Sequence, residues 1–305
     1  MASTKTAVYT ALAANLAIAV TKFIAAGVTG SSAMISEGIH SLVDTLNEVL
    51  LLLGMNRSQR PPDDKRPFGY GRELYFWSFI VSVLIFAVGG GVSFYEGVTH
   101  LQHPNPIENP TWNYIVLGIA LILDGTSLIT ALRAFNEQRG SQPFWSAVKS
   151  SKNPATFVVL FEDASDVLGL IIAFLGVFLG HELNNPYLDG GASILIGILL
   201  TAVSIVLTRE SRSLLMGEAA DQAIVQKIIT TTEANPGVIK SVHAYTFQMG
   251  PEEIVLIQRI AFRFDLNSKE TVQTMAQVRQ AVQEAEPSVR QVFIEPVYLS
   301  DDDRT

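Results

Sequence analysis

The chain has 305 residues, is 48% hydrophobic and only 16% charged, and has a mean hydropathy of +0.30, a composition too apolar and charge-poor for an ordinary soluble protein of this length. A net charge of −8 argues against a nucleic-acid partner, and the absence of cysteine excludes disulfides and thiolate metal or redox sites. Any metal held by this chain must use His, Asp or Glu.

The first thirty-three residues, ending "GVTGSSA", have the outline of a signal peptide. Against that reading, the apolar region continues on both sides of Lys22 for about the length that crosses ~30 Å of hydrocarbon. Six segments are long and apolar enough to span: 7–28, 33–55, 74–99, 112–134, 156–180 and 187–208. The connection "NRSQRPPDDKRPFGYGR" carries Arg57, Arg60, Lys65, Arg66 and Arg72, and the one between spans four and five carries Arg133, Arg139, Lys149 and Lys152. The loops "TGSS", "HLQHPNPIENP" and "GHELNNP" contain no Lys or Arg. This asymmetry predicts six crossings with both termini in the cytoplasm.

After Arg209 the pattern changes to that of a small soluble domain. Residues 219–235 suit a helix and 238–248 a strand, and "EIVLIQRIAFRFD" alternates with Ile254, Leu256, Ile260, Phe262 and Phe264 on one face. A helix over about 270–285 and a strand in "VRQVFIEPVYL" complete the order α-β-β-α-β. The division expected is a transmembrane domain at 1–208 and a cytoplasmic domain at 209–305 with an acidic, disordered "DDDRT" tail. A sheet of this size leaves a face or edge to cover, which favours self-association.

Span two, "SEGIHSLVDTLNEVLLLLG", carries Glu37, His40, Asp44 and Glu48, and span five, "VVLFEDASDVLGLIIAF", carries Glu162, Asp163 and Asp166. Residues four apart share a helix face. His40 with Asp44 and Glu162 with Asp166 are therefore two matched clamps, at a depth where each charge costs at least about 2.5–3.5 kcal/mol. One imidazole nitrogen and three carboxylate oxygens suit a tetrahedral divalent cation between the helices. The competing reading is a set of hydrogen bonds without metal, with Lys22, the lone cation within a span, as the partner. Glu37 and Glu48 extend the clamp face by a turn each and suit an ion path or interhelical hydrogen bonds. Asp163 points about 100° away from Glu162 and suits a proton relay or helix–helix bonding. Glu96 and Asp124 read as structural, His100, His103 and His181 as solvated loop residues, and His243 as a packed or surface histidine. No nucleophile–base pair or phosphate-binding glycine loop is present, so an enzyme is not expected.

The runs "GSSAMISEGIHSLVDTLNEVLLLLG", "PPDDKRPFGYGRELYFWSFI", "FYEGVTHLQHPNPI", "FEDASDVLGL" and "YLDGGASILIGILL" resemble the cation diffusion facilitator family of divalent-metal/proton antiporters, and within it the zinc transporter nine branch. The resemblance implies an all-α six-helix transmembrane domain followed by a small α+β, ferredoxin-like cytoplasmic domain, and a homodimer joined through that domain. It implies a transport site at His40, Asp44, Glu162 and Asp166 and no prosthetic group. A second family site in the loop between spans two and three falls here on Asp63, Arg66 and Tyr70, where two of three ligands are missing. A cytoplasmic zinc cluster keeps His243, but its other positions fall near Arg259 or Ala261 and at Glu295. The location expected is a bacterial cell (inner) membrane.

The function expected is efflux of a divalent transition metal from the cytoplasm by alternating access, driven by inward proton flow. Metal ligands must be deprotonated, so protons and metal compete for the same lone pairs. The empty site with neutral His40 would hold three negative charges, which favours proton uptake as metal leaves. His40, with an unperturbed pKa of about 6.5, is the first candidate to carry that proton. A shell of one nitrogen and three oxygens admits Zn²⁺ first, then Fe²⁺, Mn²⁺ or Co²⁺, and offers too few oxygens for Ca²⁺ or Mg²⁺. A proton or ion channel and a non-transporting membrane metal sensor are the alternatives.

Overall fold

The computed structural model describes residues 2–104 and 110–299. The "DDDRT" tail and the centre of the loop beginning at His100 lie outside the described residues. The chain divides into two compact units, Met1–Met55 with Phe76–Arg212, and Asn56–Tyr75 with Ser213–Thr305.

The first unit is helical. Its elements are α1 (Ala2–Thr29), α2 (Ser32–Ser58), α3 (Arg72–Leu84), a π-helical turn at Ile85–Gly90, α4 (Gly91–Gln102), α5 (Thr111–Arg139), the short α6 (Phe144–Ser150), α7 (Pro154–Glu182) and α8 (Tyr187–Met216). Among the described residues, four runs are long and apolar enough to cross a membrane: α2, the continuous Arg72–Gln102 segment, α5 and α8. The 29-residue α7 carries Glu162, Asp163 and Asp166 in its first half. Its start is fixed locally: the Asn153 side chain accepts from the Ala155 amide at 3.2 Å, and Pro154 occupies the first turn. Helix α6 lies in a connection for which the sequence predicts no element.

Helices α4 and α8 meet through glycines spaced seven apart on each. A Cβ on Gly97 would stand 2.7 Å from the Gly190 carbonyl oxygen, and one on Gly197 would stand 2.9 Å from that of Gly90. Only glycine allows this backbone approach, the usual route to tight packing where lipid removes the hydrophobic incentive.

The second unit contains α9 (Gln222–Glu233), β1 (Val238–Gly250), β2 (Glu253–Phe262), α10 (Ser268–Ala285) and β3 (Val289–Pro296), the order the sequence predicts. The sheet order is β1-β2-β3, with β1 antiparallel and β3 parallel to β2. Ile254, Leu256 and Ile260 pack with Ile228 of α9 and Val278 and Val282 of α10 to form the core. The alternation holds through Phe262 and fails only at Phe264. Position 258 on the buried face is Gln258, fully buried because it bonds Thr232 and Ser241 at 3.0 and 2.8 Å. Phe264 lies beyond the strand end and is 70% exposed. A capping box between Asn267 and Glu270 starts α10.

Candidate metal site

Three of the four predicted ligands converge. His40 Nε2 lies 2.8 Å from Asp166 Oδ1, and His40 Nδ1 lies 3.3 Å from Asp44 Oδ2. One ligand atom from each of the three residues falls within 4.8 Å of the others, the spacing that a single cation bridges. His40 is buried, and Asp44 and Asp166 are nearly so. Neither imidazole nitrogen makes a hydrogen bond of good geometry, and Asp44 Oδ1 and Asp166 Oδ1 accept none of good geometry. Buried lone pairs that converge without being satisfied mark a place for a cation or protons.

Glu162 stands apart from this trio. Its Oε1 accepts from Asn47 Nδ2 at 2.8 Å, and the residue is 6% exposed. It still lines the same cavity of about 200 Å³, together with Asp44, Glu48, Asp124, Asp163 and Asp166. Asn47 is a partner that the sequence reading missed; its place one turn beyond Asp44, three residues on, was the available signal.

The remaining acids are mostly partnered. Glu37 pairs with Lys22 at 3.0 Å, and Lys22 also donates to Ser41 at 2.7 Å, with Glu37 and Lys22 fully buried. The lysine therefore neutralises a neighbour of the trio, not a member of it. Glu48 accepts from Asn15 at 2.8 Å, and Asp163 accepts from Ser127 of α5 at 2.9 Å. Asp124 lines the cavity. His103 and His181 are exposed as expected. His100 is not: it is 7% exposed, with Nε2 3.8 Å from Oδ2 of the fully buried Asp189. It belongs to the last turn of α4, which continues to Gln102.

Both regions matching the family's accessory metal sites are filled by other interactions. In the loop, Asp63 accepts from the Tyr70 hydroxyl at 2.7 Å and from the Arg66 amide at 2.8 Å. The Tyr70 hydrogen bond, foremost, holds the Asp63 carboxyl below its ordinary range. Arg66 reaches Glu73 at 2.5 Å and lies 4.6 Å over the Tyr70 ring. In the sheet, His243 is paired in register with Arg259, and Arg259 with Glu295. The Arg259 guanidinium pairs with Glu295 at 3.5 Å. The exposed His243 packs against Tyr245 with the rings tilted by 45° and their centroids 4.1 Å apart.

A bundle of apolar helices with a buried His–Asp–Asp centre on two of them is the framework of a membrane metal carrier. Residues 8–216 match the family model described as the cation efflux transmembrane domain. The chain belongs to that family, the cation diffusion facilitators. It is 38% identical over 224 residues to the proton-coupled zinc antiporter SLC30A9, mitochondrial, of Homo sapiens, covering 73% of this chain and 39% of the relative. It is 30% identical to metal tolerance protein C4 of Arabidopsis thaliana, covering 78% and 52%, and 25% identical to the manganese efflux system protein MneP of Bacillus subtilis, covering 71% and 70%. The matched stretch spans 39–47% of the length of the SLC30A9 relatives.

Proposed function

We propose that this protein exports a divalent transition metal in exchange for protons. The convergence of His40, Asp44 and Asp166, the two acids lining an acidic cavity, carries the reading. Glu162 completes the shell: it lines the same cavity one turn before Asp166, and it needs only to exchange Asn47 for the metal. Three carboxylates and one imidazole in a low-dielectric site cannot all remain unprotonated once a divalent charge departs. Metal release is thereby tied to proton uptake, with His40 the group whose ordinary pKa lies closest to neutral pH.

Six crossings, by α1, α2, α3–α4, α5, α7 and α8, place the arginine-rich connections and both termini on the cytoplasmic side. The soluble unit is taken as the ferredoxin-like dimerisation domain of a homodimer. Domain limits of 1–208 and 209–305 follow from that division of labour. The relatives are mitochondrial and bacterial by name, so the bacterial inner membrane stays a proposal resting on the sequence reading.

Zn²⁺ is the first cargo, supported by the name of the antiporter relatives, with Mn²⁺, Fe²⁺ and Co²⁺ behind it; the Mn²⁺ efflux relative and the oxygen-rich shell keep them in range. A counterflow assay on purified protein in liposomes, with the four metals in turn, tests the reading. Exchange of Zn²⁺ that disappears with Asp44→Ala supports it; binding of metal without exchange would instead indicate a sensor.

A further inference from the structure

The polar stripe of α2 does not begin at His40. Ser32, Ser36, His40, Asp44 and Glu48 follow at intervals of four and so lie along one face. His40 and Asp44 of the trio take the third and fourth positions, and the first two, Ser32 and Ser36, are bonded to α8. Asp189 accepts from the Ser31 hydroxyl at 2.6 Å, the Ser32 amide at 2.6 Å and the Ser32 hydroxyl at 3.0 Å. One turn deeper, Ser193 donates to the Ser93 carbonyl of α4 at 2.8 Å, which leaves Ser36 to donate to Ser193 at 2.5 Å. Asp189 and Ser193 are themselves four apart on α8, so the contact is a ladder of two rungs. Every side chain in it is at most 1% exposed.

The two sides of this ladder are mechanically unlike. Helix α8 is held against α4 by the interlocked glycines, and the two rungs, at Asp189 and Ser193, flank Gly190. Helix α2 carries His40 and Asp44. The acidic cavity is lined by Asp44 and Glu48 of the stripe and by none of the ladder residues. The site therefore opens toward the Glu48 end of α2 and is sealed toward the Ser32 end. A fully apolar seam would seal it with less penalty, since a buried carboxylate needs several good donors to repay its desolvation. Hydrogen-bonded groups differ in that water can replace each partner when the seam parts. His100, 3.8 Å from Asp189, leaves the carboxylate a neighbour of opposite polarity after α2 moves.

Resting on the export reading above, we infer that Asp189, with Ser193, is the latch of the outer gate: it ties the ligand-bearing helix to the α4–α8 frame while the site faces the cytoplasm. Asp189 is a positioning residue, since it touches neither metal nor ligand. The latch accounts for the motif "YLDGGASILIGILL", in which Asp189, Ser193, Gly190 and Gly197 each have a part.

The test uses the absence of native cysteine. Met34→Cys places a single thiol at a fully buried position of α2 between the two rungs. In sealed vesicles, its rate of reaction with a membrane-impermeant maleimide applied from the outer face reports opening. Adding Asp189→Asn, which removes one acceptor oxygen and the charge, is expected to raise that rate at least tenfold, and Ser193→Ala severalfold. Zn²⁺ binding by the detergent-solubilised variants is expected to be retained. An unchanged labelling rate in both variants overturns the latch. So does fast labelling accompanied by loss of Zn²⁺ binding in Asp189→Asn with no change in Ser193→Ala, because Asp189 would then be only a structural cap. Zn²⁺ flux of the Met34→Cys protein is measured in the same vesicles: its absence would defeat the export reading, whereas flux with unchanged labelling would defeat the latch alone.

Discussion

Each of the three converging side chains holds lone pairs that no protein donor satisfies in good geometry, so removal of any one affects the cargo more than the fold. His40→Ala, Asp44→Ala and Asp166→Ala are each expected to lower Zn²⁺ flux by two orders of magnitude or more while the protein remains monodisperse. Asp63→Ala and His243→Ala are expected to keep more than half of wild-type flux, because Asp63 is engaged by Tyr70 and His243 only packs against Tyr245. Equal losses in both groups would mean that the site is misassigned. Glu162→His changes the proposed shell from one nitrogen and three oxygens to two of each and lowers its charge. Zn²⁺ flux should then be retained or rise while Mn²⁺ and Fe²⁺ flux falls, with a stronger pH dependence between about 6 and 7. An unchanged metal preference, measured beside Asp163→Ala, would remove Glu162 from the ligand set. The pairs His40–Asp44 and Glu162–Asp166 are legible in the sequence because four-residue spacing on a helix is a local rule, whereas the approach of Asp166 to His40 joins two helices. Asn47 and Asp189 are not legible there: their importance depends on which side chain of another helix they meet, and spacing within one helix carries no such information.

Among the elements, the close approach of α4 and α8 is the most sensitive to a single atom. Gly97→Val would place a branched side chain where even one Cβ stands 2.7 Å from the Gly190 carbonyl. Overpacking of this kind costs about 1–3 kcal/mol, and a thermal melt of the solubilised protein should fall by several degrees; an unchanged melt would show that the helices separate freely. The element order could be read from hydropathy and alternation because each helix and strand buries a periodic face. Polar pairing replaces that signal at one core position: Gln258 is buried there because Thr232 and Ser241 satisfy it. His100, expected in a solvated loop, instead belongs to the last turn of α4.

At the scale of the whole molecule, a soluble unit with aromatic side chains on the outer face of its sheet, Tyr245, Phe247 and Phe293, has surface left to cover. Truncation after Arg212 is expected to weaken the proposed homodimer, as read by light scattering in detergent. Chelators should leave the full-length dimer intact, because Arg259 and Arg66 stand where accessory metals would bind; dissociation by chelator would contradict that substitution. The central claim is that the buried trio exchanges metal for protons, and its most direct test follows both ions at once. In liposomes holding a pH-sensitive dye, an imposed proton gradient should drive Zn²⁺ in the opposite direction with matching proton movement, and Asp166→Asn should abolish both. Zn²⁺ flux that moves no protons, or flux that survives in Asp166→Asn, would contradict the account.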